Sequence, residues 1–345
     1  VCGAIPVYVN PGTNKQLGIP LGMSVKDVEK AIKENPDAKA VLVNNPTYYG
    51  ICSDIKSIVK LAHEHGMLVL ADEAHGTHLY FGEGLPCSAM VAGADMAAVS
   101  IHKTGGSLTQ SSLLLCADTV SEGYVRQIIN LTQTTSGSYL LMVSLDLARK
   151  NLALNGKELF KKIGGYYAFG RELENGDDIF AFDSTKLSVH TRAMGLAGVE
   201  VYDILRDDYD IQIEFGDIGN ILAIVSAGDR ELEIERFISA LSEIKRLYSK
   251  DPSGMFDHEY INPIVEIPPQ QAFYSEKKSV PIEESNGMIC GEFVMCYPPG
   301  IPILAPGEKI TSDILNYIAY CKEKGCFLTG TEDLEINNIN VVVNS

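Results

Sequence analysis

The sequence predicts an α/β protein with a mostly parallel sheet, followed by smaller α+β regions. In the first 120 residues, short apolar runs alternate with segments whose apolar residues recur at helical spacing. This alternation is typical of parallel strands joined by helices that pack on the faces of the sheet. After residue 174 the pattern changes to short strands and two helices, which indicates a smaller α+β arrangement.

Each element of the first region has its own local signal. A helix is predicted over 24–35, with Ser24 as its N-cap, and a second over 53–66, ending at Gly66. Short apolar runs bounded by polar residues predict buried strands. These strands are 38–46, 67–76 and 95–103, with a short helix at 86–94.

The later sequence has longer helical patterns and proline-marked turns. A long helical pattern covers 139–174, and another helix is predicted within 229–248. In 296–308, two prolines followed by glycine predict a stiff turn. We therefore expect three domains: a large α/β domain at 1–174, a small α+β domain at 175–250 and a C-terminal domain at 251–345.

Charge and hydropathy exclude several classes of protein. The 345-residue chain has 28 basic and 45 acidic residues, a net charge of −17, so a nucleic-acid partner is not expected. No run approaches the roughly 20 apolar residues that cross a bilayer, so no membrane partner is expected. The first residues have no basic region of the kind that opens a signal peptide, and we expect a cytoplasmic protein.

The cysteines give no metal or disulfide signature. Eight cysteines are scattered through the chain without a CxxC pair or zinc-like spacing. We therefore expect reduced thiols that are buried or incidental, and no metal.

Polar side chains cluster where the three predicted strands end. Asn44–Tyr49, Asp72–His75 and Ser100–Lys103 each follow one strand. Ligands of parallel sheets bind at this carboxyl edge. A lysine and an aspartate converging there suit pyridoxal phosphate (PLP), whose aldehyde takes the amine and whose ring nitrogen takes the carboxylate. The alternative is a buried ion pair between Asp72 and Lys103.

Several motifs resemble the prokaryotic ornithine/lysine/arginine decarboxylases. The two that carry the resemblance are DEAHG at 72–76 and SIHKTGGSLTQSS at 100–112. The resemblance extends over nearly the whole chain, through VNNPTYYG (43–50), QTTSGSYLLMVSLDLAR (133–149) and YPPGIPILAPGE (297–308). It implies a large domain of the aspartate-aminotransferase-like, PLP-dependent fold and a C-terminal domain of the decarboxylase type.

The resemblance also implies roles for residues of the cofactor site. Lys103 would hold PLP covalently, and Asp72 would keep its ring nitrogen protonated. Ala74 would pack on the ring face, where a larger side chain would not fit. Ser100 and His102 would reach the phosphate.

The substrate side is less determined. His75 would either contact cofactor or substrate, or give a supporting hydrogen bond. Thr47 and Tyr48 would line the same edge. Glu308 is a candidate partner for the substrate's distal cation, and its alternative role is to stabilise a turn.

The resemblance further implies assembly and an activity. The segment 135–139 would reach a neighbouring subunit's site in at least a homodimer, with Gly137 where the family has proline. The activity would be α-decarboxylation of a basic amino acid, with arginine first and then lysine or ornithine; transamination is a weaker option.

One departure from the family leaves an alternative open. The family's phosphate-binding turn and ring-stacking histidine have no counterpart in residues 1–71. We therefore expect that the chain lacks an N-terminal part. Alternatively, it is a non-catalytic or partner-dependent subunit of the same fold.

Overall fold

The computed structural model describes residues 3–15, 17–163, 178–253, 255, 261–297 and 300–343. The helices are α1 Val25–Glu34, α2 Ile55–Glu64, α3 Ala89–Ala92, α4 Ile101–Thr104, α5 Glu122–Thr132, α6 Tyr139–Ile163, α7 Gly198–Tyr209, α8 Glu231–Tyr248, α9 Pro269–Tyr274 and α10 Ser312–Glu323. The first strands are β1 Thr13–Asn14, β2 Ile19–Pro20, β3 Ala40–Asn44, β4 Ile51–Cys52, β5 Leu68–Asp72, β6 Met96–Val99, β7 Leu113–Cys116 and β8 Ala181–Phe182. The remaining strands are β9 Lys186–His190, β10 Phe215–Gly216, β11 Asn220–Ile224, β12 Lys277–Pro281, β13 Val294–Tyr297, β14 Ile301–Leu304, β15 Phe327–Thr329 and β16 Asn338–Val342.

The first region forms a four-stranded sheet in the order β3-β5-β6-β7. The first three strands are parallel and β7 is antiparallel, so the predicted α/β class with a mostly parallel sheet is confirmed. Asn44 pairs with Asp72, and Asp72 pairs with Ala98. The carboxyl ends of three strands therefore lie side by side, where the polar clusters were predicted to meet.

Local capping explains why the first two helices begin where they do. The Ser24 hydroxyl accepts a hydrogen bond from the Asp27 backbone N–H, and the Asp54 carboxylate accepts one from that of Ser57. Each bond satisfies a backbone donor in the first turn of its helix. Their apolar faces bury Val28 and other residues in the core beneath the sheet.

The predicted strand over 95–103 is wrong at its C-terminal end. The strand β6 ends at Val99, and α4 begins at Ile101. The Lys103 backbone N–H donates to the Ser100 carbonyl at 3.2 Å, so the chain turns as soon as it leaves the sheet. Lys103 therefore lies on a one-turn helix beyond the strand, not at the end of the strand itself.

The described residues form five smaller sheets besides the four-stranded one, two of which are the pairs β1-β2 and β4-β8. The sheet with strand order β10-β11-β9 packs against α7 and α8. The sheet with strand order β14-β13-β15 packs against α10, and β12 pairs with β16. The strand β4 pairs with β8, which connects the first region to residues 181–182. The predicted helix over 139–174 is present as α6, and its last residues, 164–174, lie outside the described part of the chain.

No helix in the described ranges combines the length and the apolar character that spanning a bilayer requires.

Candidate active site

The amine of Lys103 lies against the imidazole of His75. The distance from Lys103 Nζ to His75 Nε2 is 3.0 Å, and Nζ lies 5.4 Å from the centre of the Tyr48 ring. Lys103 is half-buried, and this burial lowers the pKa of its amine, while the carboxylates of Glu214 and Asp72 act in the opposite direction. A smaller fraction of the amine is therefore protonated than in an ordinary surface lysine, which favours nucleophilic chemistry.

His75 is held as a neutral imidazole. Its side chain is 4% exposed, and its ring centre lies 4.1 Å from that of Tyr48. Burial, reinforced by the Lys103 and Lys186 cations, lowers the pKa of His75 to about 3. Within the described residues its Nδ1 atom is buried without a hydrogen-bond partner. A buried polar atom of this kind costs free energy unless a group that binds in the site satisfies it.

Asp72 is the last residue of β5, and its side chain is exposed. Its Oδ1 atom accepts a hydrogen bond from the Ala74 backbone N–H at 3.0 Å. Asp72 is exposed and the described contact of Lys103 Nζ is with His75 Nε2, so the alternative of a buried Asp72–Lys103 ion pair is wrong. The carboxylate is thus accessible at the sheet edge, and Ala74 is half-buried next to it.

The residues that would reach the phosphate lie on the same edge. His102 is half-buried, with its Nδ1 atom 2.9 Å from the Ser111 carbonyl oxygen. The Ser100 carbonyl accepts a hydrogen bond from the Thr77 hydroxyl at 3.0 Å. These bonds fix the backbone around α4, and the phosphate contacts of Ser100 and His102 remain predictions.

Thr47 and Glu308 both make local turn contacts. The Thr47 hydroxyl accepts a hydrogen bond from the Ile51 N–H at 3.1 Å. The Glu308 carboxylate, 7% exposed, accepts one from the Ala305 N–H at 2.9 Å. These contacts favour the turn-stabilising role of Glu308, and substrate binding by either residue remains a prediction.

A buried charged network that the sequence analysis missed lies behind His75. The Asp183 carboxylate accepts two hydrogen bonds, one at Oδ1 from His78 Nε2 at 2.9 Å and one at Oδ2 from Lys186 Nζ at 3.1 Å. All three side chains are fully buried. Burial alone would raise the pKa of Asp183, but the charges of Lys186 and His78 outweigh it and hold the pKa well below its usual range. His78 and Asp183 are 105 residues apart, so no sequence motif could have indicated the network.

Gly50 makes room for this network. Its φ of +85° is in the left-handed region, and a Cβ there would lie 2.8 Å from the Asp183 carbonyl oxygen and 3.0 Å from the Lys186 Cβ. A side chain at Gly50 would therefore displace the backbone that carries Asp183 and Lys186.

Comparisons with known proteins identify the family of the chain. The family model described as Orn/Lys/Arg decarboxylase, major domain, matches residues 1–166, and the model of the family's C-terminal domain matches residues 253–333. The chain is 41% identical over 358 residues to an arginine decarboxylase of Bacillus subtilis and 43% identical over 360 residues to one of Halalkalibacterium halodurans. Each alignment covers 99% of this chain and 73% of the relative.

Solved lysine decarboxylases show the same fold. The Francisella novicida enzyme matches with a TM-score of 0.76 at 21% identity, and the constitutive Escherichia coli enzyme with 0.75 at 19%. The match covers 98% of this chain in both cases, and the chain spans only 63% and 64% of these two structures. The expected fold is thereby confirmed. From these matches together, the chain belongs to the Orn/Lys/Arg decarboxylase family.

Proposed function

We propose that this chain forms the catalytic part of a PLP-dependent enzyme that removes the α-carboxylate of a basic amino acid as carbon dioxide. Arginine is the first candidate substrate because arginine decarboxylases align at 41–43% identity along 99% of the chain. Lysine and ornithine follow. The observation that carries the proposal is the pairing of a half-buried amine, Lys103 Nζ, with a neutral His75 beside the accessible carboxylate of Asp72.

The described residues fit PLP. The lowered pKa of Lys103 makes its amine suitable for bonding to an aldehyde. Asp72 has no cationic partner among the described residues, so its carboxylate is available to a protonated ring nitrogen. The unsatisfied Nδ1 atom of His75 is a further polar group that a bound ligand could meet. Ser100 and His102 would hold the phosphate, and Ala74 would pack on the ring.

The protein's contribution to the reaction follows from the same atoms. When bound, PLP supplies an electron sink for the bond that breaks as carbon dioxide leaves. Asp72 would keep the proton on the ring nitrogen. The substrate's amine would take the place of Lys103 at the aldehyde, and the freed Lys103 amine would then lie within reach to return a proton to Cα, with His75 as the second candidate donor.

His75 also controls the proton on Lys103. While Lys103 is an ammonium, it donates to His75 Nε2, which must then be the unprotonated nitrogen of the ring. Since His75 stays neutral down to about pH 3, it remains an acceptor over the ordinary working range of an enzyme. Lys103 and His75 can therefore share one proton, carried at Lys103 Nζ, while His75 stays uncharged.

We also propose that two copies of the chain assemble around the site. Apolar side chains on α5 and α6 are exposed, including Tyr124, Ile128, Leu131, Leu140, Val143 and Leu147. An apolar surface of this kind is typical of an interface between subunits. The segment 135–139, which carries Gly137, lies between α5 and α6 and includes the first residue of α6.

A direct assay tests the proposed activity. The protein is incubated with PLP and with arginine, lysine or ornithine in parallel, and the released carbon dioxide is trapped and measured. We expect release with at least one substrate, highest with arginine, and none from Lys103→Ala. Absence of release from all three substrates would contradict the proposal. Activity that requires an added second chain would favour the partner-dependent alternative.

A further inference from the structure

Three cysteines meet in the C-terminal region, and none of them belongs to the set of candidate active-site residues. The Sγ atoms of Cys296, Cys321 and Cys326 all lie within 4.8 Å of one another. All three are free thiols. This corrects the expectation of scattered thiols without metal-ligating spacing, because folding brings together residues that the spacing does not.

A strand, a helix and the turn between that helix and the next strand supply the thiols. Cys296 lies on β13, Cys321 on α10, and Cys326 directly before β15. The Cys326 backbone N–H donates to the Cys321 carbonyl at 2.9 Å, and Leu328 on β15 pairs with Cys296 on β13. Two of the three thiols are therefore held on a strand and a helix, which position ligands firmly, and the third is held by the hydrogen bond that closes the turn between them.

The thiols are buried on one side and accessible on the other. Cys321 is fully buried, whereas Cys296 and Cys326 are half-buried and line a cavity of about 180 Å³. Tyr49, Asp217 and Tyr317 also line it. An ion could therefore reach the sulfur atoms through this cavity.

We propose that Cys296, Cys321 and Cys326 bind a zinc ion, with its fourth coordination position open to the cavity. Zinc bound by thiolates has Zn–S distances of about 2.3 Å, which in a tetrahedron places the sulfurs about 3.8 Å apart. The observed limit of 4.8 Å accommodates this geometry with small side-chain rotations. Three protein ligands with an open fourth position match a known class of zinc coordination.

The surroundings favour a cation over other occupants. None of the described residues that line the cavity is lysine or arginine, so no protein cation competes for the thiolates. The Asp217 carboxylate lies on the same wall, fixed by the N–H groups of Gly219 at 2.7 Å and Asn220 at 2.6 Å. An iron–sulfur cluster would require four protein ligands and finds three here.

The test uses cobalt as a spectroscopic probe and does not depend on decarboxylation. The full chain is stripped of metal, kept reduced with a phosphine, and titrated with Co²⁺ and then Zn²⁺. We expect a sulfur-to-cobalt charge-transfer band that saturates at one ion per chain and disappears when Zn²⁺ displaces it. Cys296→Ser and Cys326→Ser should each weaken binding by at least about tenfold.

Controls separate ligation from loss of the fold. Cys116→Ser changes an exposed thiol on β7 and should bind as the unmodified chain does. Cys296 and Cys326 are chosen for substitution because they are half-buried. Without metal, the thermal unfolding of the Cys296→Ser and Cys326→Ser variants should match that of the Cys116→Ser control. Absence of the band, equal binding by the two variants and the control, or a disulfide within the cluster that persists in the reductant would each overturn the proposal.

Discussion

Lys103 Nζ and His75 Nε2 are 3.0 Å apart, at the carboxyl edge of a parallel sheet, with Asp72 on the strand that precedes His75. The pair joins α4 to the turn after β5, so it depends on the register that aligns the ends of β5 and β6. The imidazole is neutral because it is buried, and the amine has a lowered pKa for the same reason. Burial of His75 and Lys103 side by side therefore favours an uncharged amine at Lys103, the form that can react with an aldehyde.

We expect that Asp72→Asn lowers decarboxylation strongly. The amide cannot hold a proton on a ring nitrogen by charge, so the electron sink is weakened. Loss of one such electrostatic contact typically costs about a hundredfold to a thousandfold in kcat. The measurement is the kcat for arginine at saturating PLP, with Asp118→Asn, an exposed turn residue, as the matched control. A kcat for Asp72→Asn within twofold of the control would count against the assigned role.

We expect that Asp183→Asn destabilises the fold. The substitution leaves the Lys186 ammonium fully buried without its carboxylate, and breaking a buried pair from one side typically costs about 3–5 kcal/mol. Urea unfolding measures the change. In the control, Asp207→Asn, the carboxylate is exposed beside Arg206, and no measurable change is expected. Equal midpoints for the two variants would show that the buried network contributes little to stability.

We expect His75 to make the protein sensitive to acid. Its pKa is about 3 in the fold and 6.5 in the unfolded chain, so below pH 6.5 the unfolded chain binds a proton that the folded chain does not. Stability from this group is complete above pH 6.5 and is lost as the pH falls towards 3. In this window the free energy of unfolding should decrease by about 1.4 kcal/mol per pH unit relative to His75→Gln.

The acid effect is measured by urea unfolding at several values between pH 7 and 4.5. His65→Gln, which changes an exposed histidine at the end of α2, should retain the slope of the unmodified chain. The same slope in His75→Gln and in the unmodified chain would exclude His75 as the source of the acid sensitivity.

Much of the fold could be predicted because its signals are local. Ser24 caps α1 as its position before a helical pattern indicates, and the apolar runs at 40–44 and 68–72 form adjacent parallel strands. The polar clusters at the strand ends also meet as predicted, because parallel strands bring their carboxyl ends to one edge. The end of β6 was missed, since Ile101 prolongs the apolar pattern by one residue after the backbone has left the sheet at Ser100.

Contacts between distant segments could not be predicted in the same way. The pairing of Asp183 with His78 and Lys186, and the meeting of Cys296 with Cys321, depend on how sheets and helices pack, which leaves no periodic trace in one sequence. The alternative of a buried Asp72–Lys103 ion pair was wrong because the side chain of Asp72, the last residue of its strand, is exposed. Glu308 was recognised as a candidate, but the sequence could not show that its carboxylate accepts a hydrogen bond from the Ala305 N–H, which favours the turn-stabilising role over substrate binding.

The most direct test is to find which lysine carries the cofactor. The protein is incubated with PLP, reduced with borohydride so that any carbon–nitrogen linkage becomes permanent, digested, and mapped by mass spectrometry. The site described above predicts one modified peptide, containing Lys103, and no such peptide from Lys103→Ala. Modification at Lys186 or another lysine instead, or none in protein that decarboxylates its substrate, would contradict it.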